Sequence, residues 1–228
     1  MLVSLTARPY DFSFDAAKAA FLIIDMQRDF LEPGGFGAAL GNDVSLLARA
    51  IAPIGAVLAA CRAAGVLVIH TREGHRPDLS DLHGAKHRRG RSETRIGDAG
   101  PMGRILVRGE AGHDIIAELA PVAGEPVIDK PGKGAFYATD LEAILRGRGI
   151  TQLILAGVTT EVCVHTTMRE ANDRGFECVI LSDGTASYFP EFHRMALEMA
   201  CAQDGIFGWV ASAQDVVTAI STCRGANS

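Results

Sequence analysis

Phe21-Leu22-Ile23-Ile24 is an uninterrupted apolar run that ends on an acid, Asp25. It is too short for an independent helix and apolar on both faces, which is what a strand buried inside a parallel sheet needs. The pattern recurs down the chain. Val66-Leu67-Val68-Ile69 leads to His70, Val127-Ile128 to Asp129-Lys130, Leu153-Ile154-Leu155-Ala156 to Gly157, and Val179-Ile180-Leu181 to Ser182-Asp183. Longer amphipathic segments lie between these runs. Asp43 can cap a helix reaching Ala64, with Leu46, Leu47, Ile51, Ile54 and Leu58 at three- and four-residue steps and Gly65 as the stop. Thr139 can cap Asp140 to Arg148, with Glu142 completing a capping-box pattern. Further helices are expected from about Glu161 to Arg174, before Gly175, and from about Pro190 to Ala202. Strand and helix in alternation imply a doubly wound α/β fold, a three-layer sandwich with a mostly parallel sheet and helices on both faces. No linker or internal repeat divides residues 1–228, so a single domain is expected. The exception to the periodicity is 70–104, rich in Gly, Arg and His, which reads as a long functional loop over the carboxyl edge of the sheet.

Composition narrows the function classes. Hydrophobic residues make up 48% of 228 residues and charged ones 21%, an ordinary globular mix. Lys plus Arg is 22 against 27 Asp plus Glu, a net charge of −5, so the basic footprint of a nucleic-acid binder is missing. The basic residues between Arg72 and Arg95 are interleaved with Glu73, Asp78, Asp81 and Glu93, which reads first as a solvated loop and second as an anion site. No uninterrupted run approaches the roughly 18 apolar residues of a bilayer span, and no charged n-region precedes an apolar core, so neither membrane nor secretion is expected. Cys61, Cys163, Cys178, Cys201 and Cys223 are odd in number, widely spaced and without a CxxC pair. They suggest neither a disulfide framework nor a zinc ribbon, but a reducing cytoplasm.

What ends each strand carries the chemistry. Asp25 ends the first run, Lys130 follows the Val127 run, and Cys163 opens the helix after the Leu153 run. Right-handed crossovers bring these ends to one edge of a parallel sheet, so an acid, an ammonium and a thiol can meet there. A helix N-terminus and a nearby ammonium would both lower the thiol pKa, and a carboxylate beside it could take its proton and return it to a leaving amine.

Three segments, FLIIDMQRD (21–29), KPGKGAF (130–136) and GVTTEVCVHTTMRE (157–170), resemble the isochorismatase-like cysteine hydrolases, the group that includes nicotinamidases and N-carbamoylsarcosine amidase. The resemblance implies an Asp–Lys–Cys triad: Asp25 as base and acid, Lys130 as electrostatic support, Cys163 as nucleophile. It also implies a cis peptide at Val158-Thr159 and an oxyanion hole formed by the N–H groups of Thr159 and Cys163. Nicotinamidases bind a metal through Asp-x-His and a further His. The corresponding region here, HTREGHRPD (70–78), has no Asp-x-His, so no metal is expected, although His70, His75, His83 and His87 lie near one another in sequence. True isochorismatases keep no cysteine at the nucleophile position, and Cys163 points away from them. No organic cofactor is implied.

Within the family, HTREGHRPDL (70–79), DKPGKG (129–134) and TTMREANDRG (166–175) resemble the biuret and triuret hydrolases, amidohydrolases of linear ureides. That resemblance implies a small ureide as substrate, triuret being favoured over biuret. Members of the wider family often form tetramers, so a homotetramer is expected, and Trp209, near the C-terminal strand, is a candidate for its interface. Gln203 matches a substrate-binding glutamine, and a primary amide can pair with a ureide edge by one donor and one acceptor. Phe36 and Tyr188 are expected as flat walls for a planar ureide. Ureidoacrylate and N-carbamoylsarcosine are more remote substrates. The rival of a different class is a non-catalytic, flavodoxin-like anion-binding module, which predicts a Cys163 that iodoacetamide does not label at neutral pH. A catalytically dead scaffold would be expected to lack one of the three triad residues.

Overall fold

The structure, a computed structural model, describes residues 2–88 and 94–225. Arg89, Arg91 and Glu93 of the expected loop lie outside the described residues. The strands are β1 (Leu2–Leu5), β2 (Phe12–Asp15), β3 (Ala19–Ile24), β4 (Leu67–Glu73), β5 (Ala99–Gly100), β6 (Gly103–Arg104), β7 (Val127–Lys130), β8 (Gln152–Val158), β9 (Glu177–Ala186) and β10 (Trp209–Ala211). A six-stranded sheet runs β10-β9-β8-β3-β4-β7 with every neighbour parallel, and β1-β2 and β5-β6 form small antiparallel pairs. The expected doubly wound α/β architecture is present. Each of the five apolar runs falls on a strand of the main sheet, with only Val66 standing one residue outside its strand. The sixth, β10, has only three residues, too few to show a period.

Every residue of β3 is buried, and its alternate positions supply two different cores. Phe21 and Ile23 pack on the face covered by α1 (Ile51–Ala64), together with Val216 and Ile220 of the C-terminal helix Ala213–Gly225. Ala20, Leu22 and Ile24 face the other side, against α2 (Leu141–Gly147), α3 (His165–Asp173) and α4 (Pro190–Gly205) through Leu145, Met168 and Leu197. Full burial of each large apolar side chain stabilises by roughly 1.5–3 kcal/mol, so both faces must stay covered. Ser45–Ala64 has the length and mean hydropathy of a bilayer-crossing segment. In the fold it covers the sheet, with Leu47, Ile54, Val57, Leu58 and Cys61 in the core. All five cysteines are buried.

Three expectations need correction. The helix proposed from Asp43 to Ala64 is broken: a turn at Ser45–Ala48, capped by Asp43 Oδ1 on Ser45 N at 3.0 Å, precedes α1. Pro53 lacks the N–H that would reach back to Arg49, which removes a rung at the break. The capping box at Thr139 is half formed. Thr139 Oγ1 accepts from Leu141 N at 3.3 Å, whereas Glu142 turns to Arg174 at 3.1 Å. The third correction bears on function. The strand expected to end at Ile69 continues through His70, Thr71 and Arg72 to Glu73, so the long loop begins four residues later than its composition suggests.

Candidate active site

The polar extension of β4 is tolerable in a buried sheet because every member finds a partner. His70 Nε2 lies 3.0 Å from Glu125, Thr71 Oγ1 donates to Asp25 Oδ1 at 2.7 Å, and Arg72 Nε donates to Asp129 Oδ1 at 2.7 Å. Glu73 at the tip is fully buried. Its backbone is clamped by Gln27, which accepts from Glu73 N at 2.7 Å and donates to Glu73 O at 3.0 Å.

Asp25 lies one residue beyond β3 with φ +53°, a left-handed conformation that turns its side chain out of the strand's alternation. Its Oδ2 meets Lys130 Nζ at 2.7 Å, and neither side chain has any exposure. Lys130 ends β7 and, besides this ion pair, donates to Gly132 O at 3.0 Å and Lys133 O at 2.9 Å, so its ammonium is held from two sides as well as by charge. The loop after Lys130 is fastened to α3. Ala135 N donates to Thr167 Oγ1 at 3.1 Å, Phe136 N donates to Glu170 Oε2 at 3.1 Å, and Thr167 Oγ1 donates to Cys163 O at 2.7 Å. One threonine thus joins the lysine loop to the cysteine turn.

Cys163 sits in a π-type turn, Thr160–Val164, that links β8 to α3. Gly157 just before it has φ +113°, and a Cβ there would collide with Ile24 O; only glycine permits this approach of β8 to β3. The Val158-Thr159 peptide is cis, as the resemblance implied. The ligand atoms of Asp25, Glu73 and Cys163 all lie within 4.8 Å of one another. Cys163 Sγ donates to Glu73 Oε2 at 3.6 Å. Lys133 Nζ contacts both Glu73 oxygens, at 2.8 and 3.0 Å, and Lys86 Nζ contacts Oε1 at 2.8 Å.

The electrostatics differ from the sequence reading at the thiol. Full burial, together with the carboxylates of Asp25 and Glu73, pushes Cys163 well above the ordinary thiol range, against the opposing pull of Lys130 and Lys133. At rest the group is a protonated thiol. The expected lowering by the turn and the ammonium is outweighed, because desolvation penalises a thiolate more than these cations favour it. Burial would raise Glu73 also, but Lys130, Lys133 and Lys86 surround it and hold it at about 2. Burial would lower Lys130, yet Asp25, Cys163 and Glu73 keep it above its usual value.

A cavity of about 230 Å³ opens on Cys163 and is lined also by Thr159, Glu73, Lys133, Phe30 and Tyr188. The structure therefore brings together Asp25, Lys130 and Cys163, and places Thr159 and Tyr188 beside them. Tyr188 is fixed by donation of its hydroxyl to Phe30 O at 2.8 Å. Phe36 is not in the lining; it packs on Ile96, Ile105 and Leu106, and Phe30 supplies the second aromatic wall instead. Gln203 is not brought to the site either. Helix α4 leaves the carboxyl edge and runs back towards the amino edge, where β10 starts beside Val179, and Gln203 lies exposed at that far end with φ +51°. Trp209 is half-buried and packs against Tyr10 at 5.7 Å and Phe12 at 4.5 Å. The histidines of the loop go separate ways. His70 meets Glu125, His83 meets Tyr137 at 3.0 Å, and His75 meets Asp81 and Lys86. Arg72 and Lys86, candidates for an anion site, are both committed to carboxylates. Glu73, Lys133 and Phe30 are among the lining residues that sequence reasoning missed.

Comparison with known proteins agrees with this geometry. The model of the isochorismatase domain matches residues 19–215. A cysteine hydrolase from Pseudomonas syringae pv. phaseolicola 1448A has 28% identity and a TM-score of 0.79, over 98% of this chain and 100% of its own. An isochorismatase family protein from Desulfovibrio vulgaris subsp. vulgaris str. Hildenborough has 26% identity and a TM-score of 0.73, over 90% and 98% respectively. N-carbamoylsarcosine amidase from Thermoplasma acidophilum shares the fold at 23% identity and a TM-score of 0.65, over 86% and 96%.

Proposed function

The chain belongs to the isochorismatase family, and on that premise we propose that it is a cysteine-dependent amidohydrolase of small linear ureides, triuret being the favoured substrate. The observation that carries the reading is the Cys163 thiol within 4.8 Å of the Asp25 carboxylate, which is itself ion-paired to buried Lys130, at the mouth of a cavity sized for a small molecule. The remaining support for a ureide is the likeness of residues 70–79, 129–134 and 166–175 to the biuret and triuret hydrolases. Phe30 and Tyr188 offer flat walls to a planar chain, and Lys133 and Glu73 offer a donor and an acceptor.

In this mechanism the resting thiol yields its proton to Asp25 as it attacks a terminal ureide carbonyl. The N–H groups of Thr159 and Cys163 receive the developing oxyanion. The C–N bond breaks, Asp25 hands its proton to departing ammonia, and a carbamoyl thioester remains on Cys163. Water, deprotonated by Asp25, then cleaves the thioester and the thiol is restored. Lys130 holds the Asp25 carboxylate in place between these transfers. Triuret gives carboxybiuret, which loses carbon dioxide to become biuret; biuret would give allophanate. N-carbamoylsarcosine is the second substrate to test, because the chain shares its fold with an amidase of that name. A homotetramer in the cytoplasm belongs to the same proposal, and Phe189, Phe192, Met195 and Met199, exposed along α4 and its start, are apolar surface such an assembly could cover.

Ammonia release from triuret, biuret, ureidoacrylate, N-carbamoylsarcosine and nicotinamide, measured side by side, tests the reading. Triuret should give the highest kcat/KM, and Cys163→Ala should abolish release from every substrate. A Cys163→Ala protein that kept wild-type release would overturn the mechanism, and a clear preference for nicotinamide would overturn the substrate class.

A further inference from the structure

Glu73 is not one of the three triad residues, yet it stands closer to the sulfur than a structural ion pair requires. Its Oε1 is taken by Lys86 at 2.8 Å and Lys133 at 2.8 Å, while Oε2 holds Lys133 at 3.0 Å and the Cys163 thiol at 3.6 Å. The groups that face it are thus Lys86, Lys130, Lys133, Cys163 and Asp25, with His75 behind Lys86. Lys86 is carried by the turn Gly84–His87, and its ammonium finds three acceptors: Glu73 Oε1, His75 Nε2 at 3.0 Å and Pro131 O at 2.8 Å. An ammonium has only donors, so His75 Nε2 must be the unprotonated nitrogen, and the ring proton sits on Nδ1, facing Asp81 Oδ1 at 3.2 Å. Asp81 in turn is gripped by Arg108 at 3.0 Å. This chain of partners fixes Oε1, while Oε2, shared by Lys133 and the thiol, is the oxygen beside the reacting sulfur in the cavity wall.

We propose that Glu73 is a substrate-reading group of this cleft, accepting the chain N–H of a ureide through Oε2, and that Lys86 is the positioning residue that aims it. The inference rests on the ureide reading above and deepens it. When Asp25 takes the thiol proton, Oε2 loses its S–H donor and faces a sulfur anion instead. A ureide carries an N–H beside the carbonyl under attack, and this N–H supplies the missing donor at the moment it is needed. A carbonyl or ether oxygen in that position would set one acceptor against another. Lys133 lies on the cavity side of Glu73, with about half of its side chain exposed, and can move to a ureide carbonyl as the N–H arrives. A role for Glu73 as general base fits poorly. A carboxylate held at about 2 is several units below the pH at which a base transfers protons effectively.

Kinetics with biuret and triuret, each compared with an analogue methylated at the chain nitrogen, test the proposal first on the unaltered protein. Losing a hydrogen bond to a buried charged acceptor should lower kcat/KM about tenfold or more. Glu73→Gln should raise KM for the parent ureides by a similar factor with kcat changed much less, and should shrink the gap between parent and methylated substrates. Lys86→Met should make KM rise on the acid side at a higher pH than in the wild type, because Glu73 has lost one of the cations that keep it ionised. A merely structural lysine would instead change kcat and KM alike at every pH. Equal use of parent and methylated ureides by the wild type would overturn the proposal whether or not the Glu73 variant folds. So would a KM within twofold of wild type in a folded Glu73→Gln. If the wild type hydrolyses no ureide at all, the functional reading fails and this inference falls with it; ureide hydrolysis with an indifferent Glu73 sinks the inference alone.

Discussion

Asp25 and Lys130 form an ion pair at 2.7 Å with no exposure on either side, which makes a double-mutant cycle on them unusually informative. Asp25→Asn strands a buried ammonium, but Lys130 keeps its bonds to Gly132 O and Lys133 O and still senses Glu73. Breaking a buried pair costs about 3–5 kcal/mol, and these surviving acceptors place Asp25→Asn near the lower end. Lys130→Met does more harm. It leaves a buried carboxylate whose remaining side-chain donor is Thr71 and deprives two carbonyls of their donor, so about 5 kcal/mol is expected. The double variant Asp25→Asn/Lys130→Met has neither charge, and the introduced amide oxygen still accepts from Thr71. It should therefore be more stable than additivity predicts by about 3 kcal/mol. Urea denaturation at pH 7, with the slope unchanged across the set, reads these values directly. Turnover should behave differently. All three variants should lose about 10²–10⁴-fold in ammonia release, because restoring charge balance does not restore a proton acceptor. Stabilities that add to within about 0.5 kcal/mol would refute the pairing argument. Turnover recovered in the double variant would refute the role of Asp25.

Alkylation of Cys163 by iodoacetamide in the free protein should be slow at neutral pH and should climb only above the range of an ordinary thiol, since burial and two carboxylates oppose the thiolate. Rapid labelling of Cys163 at pH 7 would contradict a protonated resting state; slow labelling therefore does not argue for a non-catalytic protein. Glu73 links stability to acid: its folded value of about 2 lies below its unfolded value of 4.5, so its contribution is complete above pH 4.5 and is lost as pH falls towards 2. The contribution is about 3 kcal/mol, and denaturation at stepped pH should show a steeper acid loss for the wild type than for Glu73→Gln; parallel curves would count against it. Gly157→Ala drives a Cβ into Ile24 O at φ +113°, so it should destabilise by about 3 kcal/mol or more, and a melting temperature within about a degree of wild type would show that β8 can shift away from β3.

The sheet was readable because each core strand is apolar on both faces, and Phe21–Ile24 or Leu153–Ala156 can be little else. The edge where the chemistry collects follows from topology, so Asp25, Lys130 and Cys163 could be brought together from chain order and handedness alone. Glu73 was not readable, for a reason that is physical rather than accidental. His-Thr-Arg-Glu at 70–73 has the composition of a loop, and a rule that ends strands at polar residues ends β4 too early. These residues stay in the sheet because Glu125, Asp25, Asp129 and two lysines satisfy them, and all of those partners are distant in sequence. Nothing local announces such pairing. The same limit explains the aromatic walls: Phe30 and Phe36 sit on neighbouring turns and both pack on Ile96, Ile105 and Leu106, yet Phe30 also reaches the cavity and Phe36 does not, a fact of packing that no period encodes. It explains Gln203 as well, since a matched position says nothing about where the kink at Ala202–Asp204, which ends the regular helix begun at Pro190, turns its side chains. Local pattern and tertiary structure thus disagree most where polar groups are buried in mutual contact. Such burial gathers here at the carboxyl edge of β3, β4 and β7, around the thiol. A strand that continues into charged residues, where its composition says it should stop, is accordingly a sign of a site being assembled, and in this chain that sign is β4 ending on Glu73.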